Sequence, residues 1–279
     1  MQRLATTLFL AVAALCVARP AGAEVAGSPD VLILGDSQLS FGAGKAFVRT
    51  IESMRGDCGL APDTTVGVIG VRSSTLQSWT SASRSAKAAI CEVDPTWKVN
   101  AGVYGTLAQG ENPYVQIGRG AQFQFCESGR SPLSAVFHGG YYRPRLVIMF
   151  LMGNAAERWA ASPAAAEQDV RAFVAALPKG QPCIFMTSAP PYGDKAVRRR
   201  QQAQDNIAAA FARAGKQCSF VPGFTAATVR ENRGNAANFR RKPSGGVKDP
   251  YHPTEAAARR FLALQRTALC RAMAAQLAP

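Results

Sequence analysis

Val31-Leu32-Ile33-Leu34-Gly35-Asp36-Ser37-Gln38 is the stretch on which the reading of this chain turns. Four consecutive apolar residues leave no polar face, and a run this short, closed by Gly-Asp-Ser, predicts a strand buried on both sides of a parallel sheet. Comparable runs lie at Thr65 to Gly70, Leu146 to Leu151, Cys183 to Thr187 and Cys218 to Val221. Helical segments are predicted between and after them at 43–54, 75–89, 163–177, 195–214 and 254–274, the last three rich in Ala, Gln and Arg. Strand and helix alternate, which defines an α/β class with a parallel sheet. Two stretches interrupt the alternation. Residues 91–144 form an irregular insertion whose Tyr114 to Phe125 segment reads as short antiparallel strands, and Pro222 to Pro253 is rich in Gly, Asn, Arg and Pro. Ligands of open α/β sheets bind beyond the carboxyl ends of the strands, so both stretches are placed to contribute to a site there.

The 279 residues are 47% hydrophobic, enough for a substantial core, yet they carry a net charge of +14. That excess predicts attraction to an acidic partner: a polysaccharide, a membrane surface or a nucleic acid. Only two histidines are present, His138 and His252, which excludes a multi-histidine zinc site and leaves two candidates for an imidazole base. The amino terminus reads as a signal peptide over 1–23: Arg3, an apolar stretch from Leu4 to Ala18, and a small-x-small site at Ala21-Gly22-Ala23. Its apolar part falls short of the ~20 residues that span a bilayer, and Arg19-Pro20 interrupts it. A lipoprotein anchored through Cys16 is the alternative, but Leu15 stands where a small residue is needed. The expected localisation is therefore secreted or periplasmic, with a single domain over 24–279 and no stable membrane insertion after cleavage. Cys58, Cys91, Cys126, Cys183, Cys218 and Cys270 remain as an even, scattered set, which predicts disulfides in an oxidising compartment. Cys183 and Cys218 each open a strand; if those strands are neighbours, the two thiols lie side by side and pair.

Two segments carry residues suited to nucleophilic chemistry. Gly35-Asp36-Ser37-Gln38 presents a serine in a tight turn at a strand end, which suits either an activated nucleophile or a helix cap. Asp249-Pro250-Tyr251-His252-Pro253-Thr254 spaces a carboxylate and an imidazole three residues apart. Asp249 can then fix the tautomer of His252 while Thr254 caps the last helix. His138, in an aromatic turn-like stretch, reads as a structural or rim residue. Arg198-Arg199-Arg200 and Arg240-Arg241-Lys242 read as solvated charge runs, although the second leads towards Asp249 and could meet an anionic polysaccharide at the mouth of a site. Trp79, Trp97 and Trp159 are assigned to core or rim.

These residues resemble the SGNH (also called GDSL) hydrolases, whose four blocks supply a serine, a glycine, an asparagine and a histidine in that order. Gly35-Asp36-Ser37 is similar to the first block, with Gln38 where the family name has leucine. Gly70-Val71-Arg72-Ser73-Ser74-Thr75 is similar to the second, with Ser73 in place of its second glycine. Leu151-Met152-Gly153-Asn154 resembles the third, with Met152 for a glycine and Ala155 for its final aspartate. Asp249 and His252 match the Asp-x-x-His block in full. The resemblance implies a three-layer α/β/α flavodoxin-like fold with a five-stranded parallel sheet.

The resemblance also implies a catalytic triad of Ser37, His252 and Asp249. Its oxyanion hole would be built from the amides of Ser37 and Ser73 and the side chain of Asn154. No metal or organic cofactor is implied. The expected activity is a serine esterase removing small acyl groups, acetyl first among them, from a carbohydrate or small ester, with an anionic substrate suggested by the basic charge. Alternatives are a lipase or thioesterase, an acyltransferase, and a silent glycan-binding protein. Nucleic acid is not an expected partner, since an export signal is present and no recognisable module is.

Overall fold

The computed structural model describes residues 28–72, 74–81, 116–119, 130–138 and 142–278. The five expected strands form at β1 (Val31–Gly35), β2 (Val66–Arg72), β4 (Leu146–Phe150), β5 (Cys183–Met186) and β6 (Cys218–Val221). A short edge strand, β3 (Gln116–Arg119), comes from the insertion. The order is β3-β2-β1-β4-β5-β6, and every pair is parallel. In this part of the insertion the antiparallel expectation is therefore corrected. β3 adds to the open edge of β2 in parallel, a pairing that the residue pattern of one segment cannot encode. The predicted signal segment, Cys91, Cys126 and Trp97 lie outside the described residues.

Side chains alternate across the sheet as period-2 geometry requires. Leu32 and Leu34 join Val147, Met149 and Phe185 on one face. That face is covered by α2 (Leu76–Thr80), α3 (Pro132–Phe137), α4 (Ala156–Ala161), α5 (Pro163–Ala176) and α6 (Asp194–Ala214). Val31 and Ile33 join Val66, Val68, Ile148 and Ile184 on the other. There α1 (Gly44–Ser53) and α8 (Glu255–Leu277) supply Phe47, Ile51, Phe261, Leu262 and Met273. This is the three-layer α/β/α arrangement, with both faces of every central strand dry. Trp79 and Trp159 are fully buried in the first layer, which settles them as core. Helix starts are specified locally: the Ser162 hydroxyl accepts from the Ala165 amide with Pro163 in the first turn, and Thr254 accepts from Ala257. Among the described residues no helix is long and apolar enough to cross a membrane.

The irregular stretch after β6 contains α7 (Ala226–Asn232), a 3₁₀ turn at Ala236–Asn238, and a narrow hairpin. Isolated antiparallel bridges close that hairpin at Arg241 with Val247 and Phe239 with Pro253. Its local pairing gives a segment with little apolar content a defined path.

Among the described residues two disulfides cross-link the fold. Cys183 and Cys218 are direct register partners on β5 and β6 and are bonded, as their placement at two strand starts predicts. Cys58, in the turn after α1, is bonded to Cys270 on α8 across 212 positions of sequence, against 35 for the other bridge. The longer loop loses more chain entropy on cross-linking. Thermal unfolding should therefore show a lower Tm for Cys58→Ser/Cys270→Ser than for Cys183→Ser/Cys218→Ser, with each bridge contributing about 2–4 kcal/mol.

Candidate active site

Strand order reverses between β1 and β4, and the crevice above their carboxyl ends is where the candidate residues gather. At the end of β1, Gly35 packs so tightly on β4 that a Cβ there would sit 2.1 Å from the Phe150 carbonyl oxygen. Only glycine permits that approach. Asp36 then turns the chain, its Oδ1 accepting from the Gln38 amide at 2.9 Å, and Ser37 is left at the rim. The following segment, Leu39–Ala43, is kinked at Gly42, whose φ is 124° and where a Cβ would lie 3.0 Å from the Glu255 amide nitrogen, so glycine lets the serine turn sit close to the start of α8.

Ser37, His252 and Asp249 form one hydrogen-bonded chain. Ser37 Oγ lies 2.8 Å from His252 Nε2, and His252 Nδ1 lies 2.8 Å and 3.0 Å from the two Asp249 oxygens. The tautomer with its proton on Nδ1 satisfies both contacts, donating to Asp249 and leaving Nε2 to accept from the serine hydroxyl. Phe41 backs the imidazole at 4.5 Å between ring centroids. Asp249 also accepts from the amides of Tyr251 and His252 and from Arg240 Nη2 at 2.7 Å. Burial pushes the Asp249 carboxyl up, but the hydrogen bonds from Arg240, His252 and Tyr251 outweigh it and hold it below the usual carboxylate range.

Asn154 follows β4, its Nδ2 donating to the Ser74 carbonyl at 2.9 Å, and it lines the same pocket as Ser37 and His252. Ser73 lies outside the described residues. The pocket has a volume of about 490 Å³ and is walled mainly by polar and charged side chains, with Phe41, Ala156 and Ala196 as its apolar contributors. His138 is exposed at the end of α3 beside Arg130 and does not line it. Among the described residues no cluster of His, Cys, Asp and Glu could hold a metal ion.

Three residues carry more than the sequence suggested. Gln38 is buried, and its amide joins three backbone groups: Nε2 donates to the carbonyls of Tyr251 at 3.1 Å and Ala189 at 3.3 Å, and Oε1 accepts from the Ala189 amide at 3.2 Å. The serine turn, the loop after β5 and the histidine loop are thereby tied together. A glutamine where the resembled block has leucine was the available signal. Arg240, read as a solvated cation, spends its charge on Asp249 and stacks on Phe41 at 4.9 Å. Arg200, from the other basic run, is buried in the pocket wall.

No family model and no curated protein matches the chain. Solved structures do. A Streptococcus pneumoniae protein provisionally described as a platelet activating factor aligns at TM-score 0.51 and 13% identity, over 89% of this chain and 86% of that one. The catalytic domain of peptidoglycan O-acetyltransferase A from the same organism aligns at 0.44 and 13%, over 88% and 94%. A family 3 carbohydrate esterase from Clostridium thermocellum aligns at 0.42 and 13%, over 88% and 99%. The first of these shares the fold with this chain, and at such identities the likeness extends to the fold alone.

Gln38→Leu keeps the volume but removes the partner of the buried Ala189 amide and carbonyl and of the part-buried Tyr251 carbonyl, so urea unfolding should show a loss of about 1–3 kcal/mol. Asp249 ionises more readily folded than unfolded. Its stabilisation is therefore complete above the unfolded-chain value of ~4 and disappears as pH falls through the lower folded value. Arg240→Met removes a hydrogen bond that lowers that folded value, so its acid-unfolding midpoint should lie at higher pH than that of the wild type.

Proposed function

We propose that the protein is an exported serine esterase that removes small acyl groups, acetyl in the first place, from a carbohydrate. The observation that carries this reading is the 2.8 Å contact between Ser37 Oγ and His252 Nε2, continued to Asp249, in the wall of an open pocket. A hydroxyl facing the free nitrogen of an imidazole whose other nitrogen is held by a carboxylate is arranged for nucleophilic attack.

In the proposed reaction Ser37 Oγ attacks the ester carbonyl carbon while His252 Nε2 takes its proton. Asp249, kept ionised by Arg240, steadies the resulting imidazolium. The oxyanion is held by the amides of Ser37 and Ser73 and by Asn154. The Asn154 amide has two hydrogens: one is engaged by the Ser74 carbonyl, which fixes the group, and the other is available to the oxyanion. Collapse expels the alcohol, which receives the proton from His252. A water molecule, deprotonated by the same imidazole, then attacks the acyl carbonyl and regenerates Ser37. The described pocket walls favour a short acyl group, because a fatty chain needs a long apolar channel and, among the described residues, Phe41, Ala156 and Ala196 are the apolar ones in a lining otherwise made mostly of polar and charged side chains. The signal segment read at 1–23 and the two disulfides support export.

Purified wild type should release p-nitrophenol from its acetate ester, and Ser37→Ala should not. Equal release by both would end the esterase reading. Asn154→Ala should lower kcat by ~10²-fold, since one oxyanion donor is lost, while the protein stays folded and loses only about 1 kcal/mol for the hydrogen bond to the Ser74 carbonyl.

A further inference from the structure

The run Arg198-Arg199-Arg200 opens α6 with three identical charges that meet three different fates. Arg198 is exposed, and Arg199 is exposed at the pocket rim, 3.5 Å from Glu157. Arg200 is 7% exposed and lines the pocket that also contains Ser37, Asn154 and His252. Its Nη1 has no hydrogen-bond partner among the described residues. A buried guanidinium is costly to desolvate and is ordinarily compensated by acceptors.

The neighbouring Asp36 carboxyl attracts the guanidinium but gives Nη1 no hydrogen bond. Asp36 turns Oδ1 to the Gln38 amide, and its Oδ2 has no hydrogen-bond partner among the described residues either. Burial pushes the Asp36 carboxyl up, against the pull of the Gln38 amide and the Arg200 charge, and burial likewise pushes the Arg200 guanidinium down, against the pull of Asp36. At the rim, Arg199 and Glu157 offset one another. The wall also makes room for the guanidinium: a Cβ on Gly153 would lie 3.2 Å from Arg200 Nη2, so a side chain beside Asn154 would crowd it. The Tyr251 ring lies against the guanidinium at 5.3 Å; this side chain is 47% exposed, and because Nη1 is itself sealed from solvent, a ligand reaches it only when the ring turns outward.

We propose that Arg200 is the anion-recognition residue of this pocket, and that the ester it serves carries a carboxylate held by the guanidinium while the ester carbonyl meets Ser37. A planar fork of N–H donors matches a carboxylate, and such charge-assisted pairs are stronger than neutral ones. The carboxylate belongs either to the sugar, as in an acetylated uronate, or to the acyl group, as in a succinyl half-ester. The inference rests on the esterase reading for its reaction and on the pocket geometry for its ligand.

The test compares kcat/KM for two pairs that differ in one carboxylate: acetylated polygalacturonate against acetylated galactan, and p-nitrophenyl succinate against p-nitrophenyl acetate. Wild type should favour the charged member of one pair by about tenfold or more, and the pair that responds identifies where the carboxylate sits. In Arg200→Gln that ratio should fall to near one. The ratio cancels any loss of turnover common to both substrates. Arg198→Gln removes the same charge from an exposed position on the same helix and should retain the preference. Equal use of both members of both pairs by wild type, or an equal drop in Arg198→Gln, overturns the proposal.

Calorimetric binding of trigalacturonate and of succinate to Ser37→Ala separates this inference from the esterase reading. Binding of either anion that is lost when Arg200→Gln is added supports the anion site even if no ester is turned over. Absence of binding by both, or binding indifferent to Arg200, sinks the inference while leaving the esterase reading to its own test. Arg200→Lys covers the case in which the glutamine variant does not fold. It keeps the charge but loses the fork, and should show a ratio between the other two.

Discussion

A hydrogen bond between residues 215 positions apart, from the Ser37 hydroxyl to the His252 ring, is the contact that the rest of the molecule is arranged to hold. Neither partner has a local reason to meet the other. β1 carries the serine to the middle of the sheet, where it is flanked by parallel strands on both sides. α8 packs on the opposite face from α6 and fixes the start of its own helix, and so the preceding loop, next to the same strand end. Gly35 allows β1 to approach β4, and Gly42 allows the segment after the serine to press on the α8 start. The disulfide from Cys58 to Cys270 ties the far end of that layer.

Around this contact the polar groups are organised by burial rather than by number. Gln38 is a single primary amide in a dry region, and each of its bonds is to backbone, so it constrains chain paths rather than side-chain rotamers. Asp249 is surrounded by donors from its own loop and from Arg240, which converts a carboxylate in a flexible-looking hairpin into a fixed anion. The basic excess of the chain is therefore not a uniform coat. Arg240 is used internally, Arg200 is sequestered in the pocket wall, and many of the remaining arginines, such as Arg233 with Asp194 and Arg171 with Glu167, sit in exposed ion pairs that contribute little each.

Much of this was legible in the residues. The five apolar runs became β1, β2, β4, β5 and the edge strand β6, because a strand covered on both faces, as β1, β4 and β5 are, has no polar positions to spare. The segment at 195–214 became α6 within one residue, and the strand-opening positions of Cys183 and Cys218 foretold their bond. The histidine loop announced itself through the spacing of Asp249 and His252. β3 was misread because its pairing depends on an edge offered by β2, not on its own pattern. α3, α4 and α7, each of six or seven residues, are too short to give a periodic signal, and they exist because they cover an apolar face already formed.

The sequence by itself determined the class of the fold, the strand ends at which chemistry could be displayed, and the residue types available there, since hydrophobic runs and turn chemistry act over a few residues. Tertiary structure alone decided which charges are spent where. Arg199 and Arg200 are adjacent and identical in the chain, yet one faces water and the other lies beneath Tyr251 beside Asp36. That difference arises from the 100° turn between successive helix positions and from which side of α6 the sheet occupies, and neither is written in the residue itself.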